Sequence, residues 1–310
     1  MKRRFVLTIA LCLCLLLCSC VKTKPDFVGV TVSFTDATGT TVSLPQHPGK
    51  VAVLFSSLAD IWVTAGGEIA ITVGESVERG FAAANTMLVD SDAGKRIDTE
   101  ALLAAVPDLV ICSADIQAQV DAADACRRAG IPAVALTVES FEDYLSVLQL
   151  FTTLTGNTDR YASHGSALAA EIRQKISAYT ATAKETSILF IRAGSSARYT
   201  KAKRAGDHFA AAMLQELATV NIADSAPVLL DGLSFEEILA SDPDHIFIST
   251  MGDENAAKAH MDSLLQEPTW QSLTAVRERH VHYLPKSLFQ YKPNAHWGEA
   301  YAYLIELLEE

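Results

Sequence analysis

Apolar residues recur at Tyr161, Leu168, Ile172, Ile176 and Tyr179, close to the 3.6-residue period of an α-helix. The pattern predicts one long helix from Thr158 to Ala183, capped by Asn157 or Thr158 once Gly156 has ended the helix before it. At 1.5 Å per residue it is about 38 Å long, enough to cross a domain. On both sides of it, short apolar runs that end in small or polar residues alternate with helical patterns. Runs near Val51–Phe55, Ile69–Val73, Met87–Val89, Leu109–Cys112 and Ala133–Leu136 read as buried parallel strands, as do Ile188–Ile191, Val220–Ile222, Ile246–Ile248 and Val281–Leu284. Helices are predicted between them near Leu58–Ala65, Thr99–Val106, Gln117–Arg128 and Phe141–Leu154, then His208–Leu217, Phe235–Leu239, Ala256–Leu265 and Asn294–Leu308. Ser140 and Asp143 are spaced as a capping box. Ahead of all this, Val30–Phe34 and Thr41–Ser43 flank Asp36 to Gly39, a hairpin signal.

The two flanks of the long helix mirror each other. Ile97 to Ile111 and Leu233 to Phe247 align at one constant offset, pairing Glu100 with Glu236, Leu103 with Leu239, Ala104 with Ala240, Pro107 with Pro243 and Asp108 with Asp244. Each copy reads as a short helix, a Pro-Asp turn and a buried strand. One such unit on each side predicts two similar lobes. The fold class is therefore α/β, two lobes with parallel sheets joined by one long linking helix, with the ligand cleft between the lobes. Strand-helix alternation covers both sheet faces, and ligands in such folds bind beyond the carboxyl ends of the strands. The boundaries read as an N-terminal lobe over 30–156, the linking helix over 157–183 and a C-terminal lobe over 184–310.

Residues 1–19 form a leader. Lys2, Arg3 and Arg4 precede an apolar run to Cys18 that is too short to span a bilayer. Leu17, Ser19 and Cys20 resemble the end of a bacterial lipoprotein signal, which makes Cys20 the lipidated first residue and 20–29 its tether. The expected place is extracytoplasmic, anchored by lipid to the bacterial cell membrane. The formal charge of −12 becomes −15 when the leader leaves, a poor balance for general nucleic-acid binding. Of the cysteines left, Cys112 ends a strand and Cys126 lies well down the next helix. That geometry disfavours a disulfide, so two buried free thiols are expected.

Against so acidic a background one loop is basic. Arg192, Arg198, Lys201, Lys203 and Arg204 follow the strand near Ile188–Ile191, with Tyr199 among them. Arginine can clamp carboxylates or catecholates through two parallel bonds, which suits an anionic ligand. Ser56, Ser57, Ser76, Arg79, Ser113, Thr250 and Met251 also fall at strand ends, and the loop from Lys286 to Lys292 adds Phe289 and Tyr291. A few polar anchors among aromatic walls match a small-molecule cleft. Any one of these residues also serves turn capping or loop packing. Trp62 reads as core, Trp297 as core or cleft wall. His280 and His282 point to one face of a strand, yet no nearby Cys, Asp or Glu completes a metal-ligand pattern, so a structural pair is expected. His296 and Met251 are weaker candidates for haem ligation. No G-x-G-x-x-G, P-loop or G-x-S-x-G elbow occurs, so no enzyme is read and no catalytic residue or cofactor is named.

The lipoprotein-type leader, the hairpin leading into Lys50, the two Glu…Pro-Asp units, the long helix and the run from Tyr291 to Tyr301 come in a fairly specific order. Together they resemble the solute-binding proteins of ABC importers for ferric siderophores, haem and vitamin B12. The resemblance covers about Val30 to the C-terminus. It implies capture of an iron chelate, modest closure limited by the linking helix, and delivery to a permease dimer. It further implies that Glu100 and Glu236 dock one on each half of that permease. A receptor for cobalamin or bare Zn²⁺ or Mn²⁺ is the alternative within the class. Outside it stands a lipid-anchored enzyme or chaperone on paired α/β lobes.

Overall fold

The computed structural model describes residues 30–91 and 95–310; the leader, Cys20 and the tether lie outside them. Strands β1 (Thr31–Thr35) and β2 (Thr41–Pro45) form the expected antiparallel hairpin. Its turn is held by Asp36, whose carboxylate accepts the Thr38 hydroxyl at 2.6 Å and the Thr38 and Thr40 N–H groups. The same carboxylate takes Arg127 at 3.1 Å and the Ala135 N–H at 3.2 Å, tying the hairpin to the sheet edge. Burial raises the Asp36 pKa, but these hydrogen bonds outweigh it and leave it below the usual carboxylate range.

The first sheet contains β3 (Val51–Val53), β4 (Ile71–Thr72), β5 (Met87–Leu88), β8 (Leu109–Ser113) and β9 (Ala133–Leu136), in the order β5-β4-β3-β8-β9 and parallel throughout. Between β5 and β8 in sequence, β6 (Asp90–Ser91) and β7 (Arg96–Ile97) make a small antiparallel pair. The second sheet contains β10 (Thr186–Ala193), β11 (Lys201–Ala202), β12 (Thr219–Asn221), β13 (His245–Thr250) and β14 (Val281–Tyr283). Its order is β11-β10-β13-β14, with β12 parallel to the start of β10 and β11 antiparallel to its end. Successive side chains of a strand face opposite ways. Accordingly Val51, Val53 and Ile111 join one core, while Ala52, Val110 and Cys112 join another on the opposite face. The first of these cores runs through both halves, adding Phe190, Phe209 and Trp297 to Phe151 and to Ile172 of the linking helix. From Thr31 to Glu310 the chain is one compact unit.

The linking helix differs from expectation in two ways. It ends at Thr180 rather than Ala183, and Ala162–Ser166 is a π turn between helical segments Thr158–Tyr161 and Ala167–Thr180. A π turn widens the helix and frees a carbonyl. Here the Tyr144 hydroxyl donates to the His164 carbonyl at 3.0 Å, and Gly165 sits buried against the Tyr161 ring, where a Cβ would come within 3.0 Å. Other boundaries moved by a residue or two. The helix expected over Asn294–Leu308 divides into a 3₁₀ turn, Asn294–His296, and a helix, Trp297–Leu308. Gly74–Glu78, Thr274–Arg277 and Lys286–Phe289 are short helices that no period announced. The Ser140–Asp143 capping box is present.

The internal repeat recurs in the backbone. Helices Thr99–Ala105 and Phe235–Ser241 both end in left-handed residues, Val106 (φ 48°) and Asp242 (φ 39°), each followed by a buried proline. Asp108 then accepts the Gly49 and Lys50 N–H groups at 3.1 and 2.8 Å, just before β3. Asp244 accepts the Ser187 N–H and hydroxyl at 2.8 and 2.7 Å, at the start of β10. Each aspartate thus pins the central strand of its sheet. Asp108→Ala and Asp244→Ala should each cost about 1–2 kcal/mol in urea unfolding, whereas Asp121→Ala, on an exposed helix face, should cost less than either.

Cys112 and Cys126 are free and buried, as expected. Burial raises both thiols, Cys112 to about 12.

Candidate functional site

Leu54 and Phe55 lead from β3 to Ser56, which opens helix Ser56–Thr64. Its hydroxyl bonds the Glu75 carboxylate and accepts from Arg79 Nη1 at 2.9 Å. Arg79 ends the short helix Gly74–Glu78, and its guanidinium lies 4.0 Å from the Tyr291 ring and 4.8 Å from that of Phe81. Lys286 Nζ is 5.1 Å from the same tyrosine. Ser56, Arg79 and Tyr291, far apart in sequence, are therefore brought together where the two halves meet. Burial lowers the Arg79 pKa against the opposing pull of Asp60 and Glu75, and the group stays charged.

Three further bonds from the same C-terminal segment cross to the first half. Asn294 Nδ2 donates to the Ser57 carbonyl at 3.0 Å and to Asp60 at 2.8 Å. Lys292 Nζ pairs with Glu139 at 2.6 Å and lies 4.7 Å over the Phe209 ring. Burial raises the Asp60 pKa, against the Asn294 bond and the Arg79 charge. The segment from Lys286 to Trp297 is thus a strap fastened at Arg79, Glu139 and Asp60. Asp60, Glu139 and Asn294 were not singled out from the sequence. No periodic signal links residues so distant.

Beside the strap lies a cavity of about 260 Å³ between the halves, with Glu139 and Phe141 on one side, His208, Phe209 and Ala212 on the other, and Trp297 in its wall. His208 accepts the Ala210 N–H at Nδ1 (3.1 Å) and packs against Phe190 and Phe209. Burial first, then Lys292, Arg192 and Lys203, push its pKa down to about 3, so the imidazole is neutral at pH 7. Those three cations therefore stand near the cavity. Trp297 is both core and cavity wall. Trp62 is core, its indole N–H donating to the Glu68 carbonyl at 2.9 Å.

The remaining sequence candidates divide into two sets. Arg192, placed within β10 rather than in the loop after it, and Arg198 and Tyr199 in that loop are all exposed, with Arg198 5.6 Å over the Tyr199 ring. Arg192 pairs with Lys201 across β10 and β11, and Met251 is half-buried, its N–H on the Ala193 carbonyl at 2.8 Å. Ser57, Ser76, Ser113 and Thr250 are buried. Ser113 braces its own turn through Gln119 and Asp115, and Thr250 reaches Gln290 at 3.3 Å. Phe289 was read as a cleft wall. It is fully buried against Tyr303, and its carbonyl accepts the Ser249 hydroxyl, so its ring belongs to the core.

The histidines of this sheet meet as three, not two. His282 Nε2 bonds His245 Nδ1 at 3.1 Å, and His280 stacks on His245 at 4.4 Å while its Nδ1 contacts the Asp244 carbonyl. The structural unit is a trio at the opening ends of β13 and β14, not the pair His280 and His282. Among the described residues no group of three or more His, Cys, Asp or Glu is placed to hold a metal ion. His296 is exposed and bonds Glu299 at 2.9 Å.

Glu100 and Glu236 are exposed in the first turns of the repeated helices. Neither has a hydrogen-bond or ion-pair partner among the described residues. The first helix is capped by Asp98, which accepts the Ala101 N–H at 2.9 Å. A local capping bond thus accounts for neither glutamate.

Similar folds occur among solved structures. A TroA-like periplasmic binding protein from Xylanimonas cellulosilytica aligns with a TM-score of 0.68 at 19% identity, covering 90% of this chain and 98% of that one. Staphylococcus aureus SirA, solved with staphyloferrin B, gives 0.66 at 18% identity over 89% and 96%. The periplasmic haem-binding protein RhuT from Roseiflexus sp. RS-1 gives 0.64 at 18% over 84% and 97%. At such identities the likeness shows a shared fold. No curated protein matches the chain by sequence. Residues 51–288 match the periplasmic binding protein family, and since that stretch is most of the sequence, the chain belongs to this family.

Proposed function

We propose that this protein is the substrate-binding component of an ABC importer, capturing an iron chelate outside the cytoplasm and handing it to a permease. One observation carries the reading: a cavity between the halves with Arg192, Lys203 and Lys292 close by, in a chain of net charge −12. Those cations favour an anionic ligand, against the carboxylates of Glu142, Asp207 and Glu216 that also line the cavity. The fold shared with SirA and RhuT, whose structures concern a siderophore and haem, supports the same class. Lipidation at Cys20 would hold the receptor at the membrane face where the permease opens. Binding and release are the whole of its chemistry in this reading.

Titration with ferric hydroxamates, ferric catecholates, haemin and cobalamin, followed by tryptophan fluorescence, tests it. Trp297 is the expected reporter, since it lines the cavity and Trp62 and Trp270 do not. Tight binding of free Zn²⁺ or Mn²⁺ with no response to any chelate would sink the proposal. Arg192→Ala or Arg198→Ala should weaken an anionic chelate by about 1.5–3 kcal/mol, the worth of a charged hydrogen bond. Lys201→Ala should do less. Wild-type affinity in both arginine variants would return the loop to a solvated surface.

A further inference from the structure

The linking helix is anchored on both sides of its π turn, and to different halves. Before the turn, the Arg160 guanidinium donates to the Thr64 carbonyl at 3.0 Å, and Asn157 Nδ2 and the Thr155 hydroxyl donate to the Ala65 carbonyl at 3.4 and 2.8 Å. Thr64 and Ala65 close helix Ser56–Thr64 of the first half. After the turn, Ala167–Thr180 packs along helix Trp297–Leu308. The approach is close at Gly298, where a Cβ would come 3.0 Å from the Glu171 carboxylate and 3.1 Å from Leu168. Helix Trp297–Leu308 is held in turn by helix Phe209–Glu216 of the second half. The Tyr301 hydroxyl donates to Glu216 at 2.6 Å, and Trp297 stands edge-on to Phe209 at 5.5 Å. Ala162–Ser166 therefore lies between two anchors.

Within the turn the helical ladder is loosened. The Ala167 N–H reaches back to the Ala162 carbonyl, one residue further than an α-helix allows. Kinks concentrate at such turns, and hinges are short stretches that absorb a change in backbone angles. Both flanks keep ordinary helical angles, with Tyr161 at φ −67°, ψ −35° and Ala167 at φ −66°, ψ −44°. The loosened stretch is held from one side. Tyr144, buried on helix Phe141–Thr155 of the first half, donates to the His164 carbonyl. We propose that Ala162–Ser166 is the hinge between the halves and that Tyr144 is its pin. Bending there carries Ala167–Thr180, helix Trp297–Leu308 and the second half as one body, while Thr158–Tyr161 stays with the first. The strap limits the swing, because its Lys292–Glu139 and Asn294–Asp60 bonds also join the halves. The hinge is a property of the fold and holds for whichever ligand the protein takes.

Spin labels carried by genetically encoded residues in place of Asp121 and Ala259, exposed positions on helices of the first and second halves, report the distance between the halves. The labelled wild type is compared with Tyr144→Phe, which keeps the ring and loses the pin. A second variant deletes Ser163, an exposed residue of the turn, so that the two segments run as one α-helix. Tyr283→Phe is the control, since it loses a tyrosine hydroxyl bond to Asp262 inside the second half. Circular dichroism and unfolding midpoints check that each variant is folded. Tyr144→Phe should broaden the distance distribution and speed amide exchange over residues 162–168 about fivefold, the effect of one lost hydrogen bond on local opening. The deletion should narrow the distribution, and the control should match the wild type. A wild-type distribution in Tyr144→Phe overturns the hinge, as does equal broadening in the control or a folded deletion variant as broad as the wild type. Should the deletion prevent folding, Tyr144→Phe against the control decides alone.

Discussion

The double variant Glu100→Lys/Glu236→Lys is expected to bind chelate as the wild type does and to leave the permease ATPase unstimulated. Both side chains are exposed, at matched positions of the repeat, and neither is tied to a neighbour. Surface substitutions of that kind usually change stability by less than about 0.5 kcal/mol. A lysine facing the positive end of a helix adds roughly 0.3–1 kcal/mol at each site. Folding should survive that, and the strap and the cavity involve neither residue. At an interface the balance differs, because like charges brought face to face cost several kcal/mol and two such sites act together. A permease with two similar halves would meet one glutamate on each, which is what a symmetric pair of repeats provides. The double glutamine variant should fall between wild type and charge reversal. Ligand affinity and ligand-stimulated ATPase activity in reconstituted permease separate the outcomes. Full stimulation by the lysine variant would end the docking assignment.

The repeat was legible because it is local. A short helix, a Pro-Asp turn and a buried strand occupy consecutive residues, so one alignment of the chain with itself reveals them. The structure adds why the aspartates recur, since Asp108 and Asp244 each clamp the start of a neighbouring strand. Apolar runs gave the parallel strands because both sheet faces are buried. The strap escaped notice because Asp60–Asn294 and Glu139–Lys292 join residues with no shared period. His208 was read only as the first residue of a helix. Its significance lies in the aromatic and cationic neighbours that folding supplies. Phe289 shows the opposite failure. An aromatic residue in a loop looked like a cleft wall, yet sequence says nothing about which way a loop ring turns, and this one turns inward. The π turn was invisible for a related reason. Its freed carbonyl is satisfied by Tyr144, a residue of another helix.

Stability should fall steeply in acid, and histidine rather than carboxylate chemistry should set the window. Burial holds His245 and His282 at pKa values of about 4, with the neighbouring imidazoles adding to the effect, and His208 at about 3. Unfolded histidine titrates near 6.5. Between those limits the unfolded chain binds more protons than the folded one, so stability rises with pH through the window. The contribution is complete above about pH 6.5 and is lost as pH falls toward 4. One histidine shifted that far is worth about 3 kcal/mol by pH 4. His245 and His282 share a hydrogen bond, so their protons are taken up as a pair rather than independently. Asp244 and Glu310 oppose the shift at His245 only in part. Asp36 behaves differently. Its folded pKa is lowered, so its contribution survives down to about pH 4 and is lost below that. Urea unfolding of the wild type at pH 7.5, 6, 5 and 4 should therefore show most of the decline above pH 4. In His282→Phe, which keeps a ring in the stack but cannot titrate, the slope over pH 6.5–4 should be shallower even though the variant is less stable at pH 7.5. An unchanged slope in that variant, together with a flat profile from pH 7.5 to 5 in the wild type, would place the acid response outside the trio.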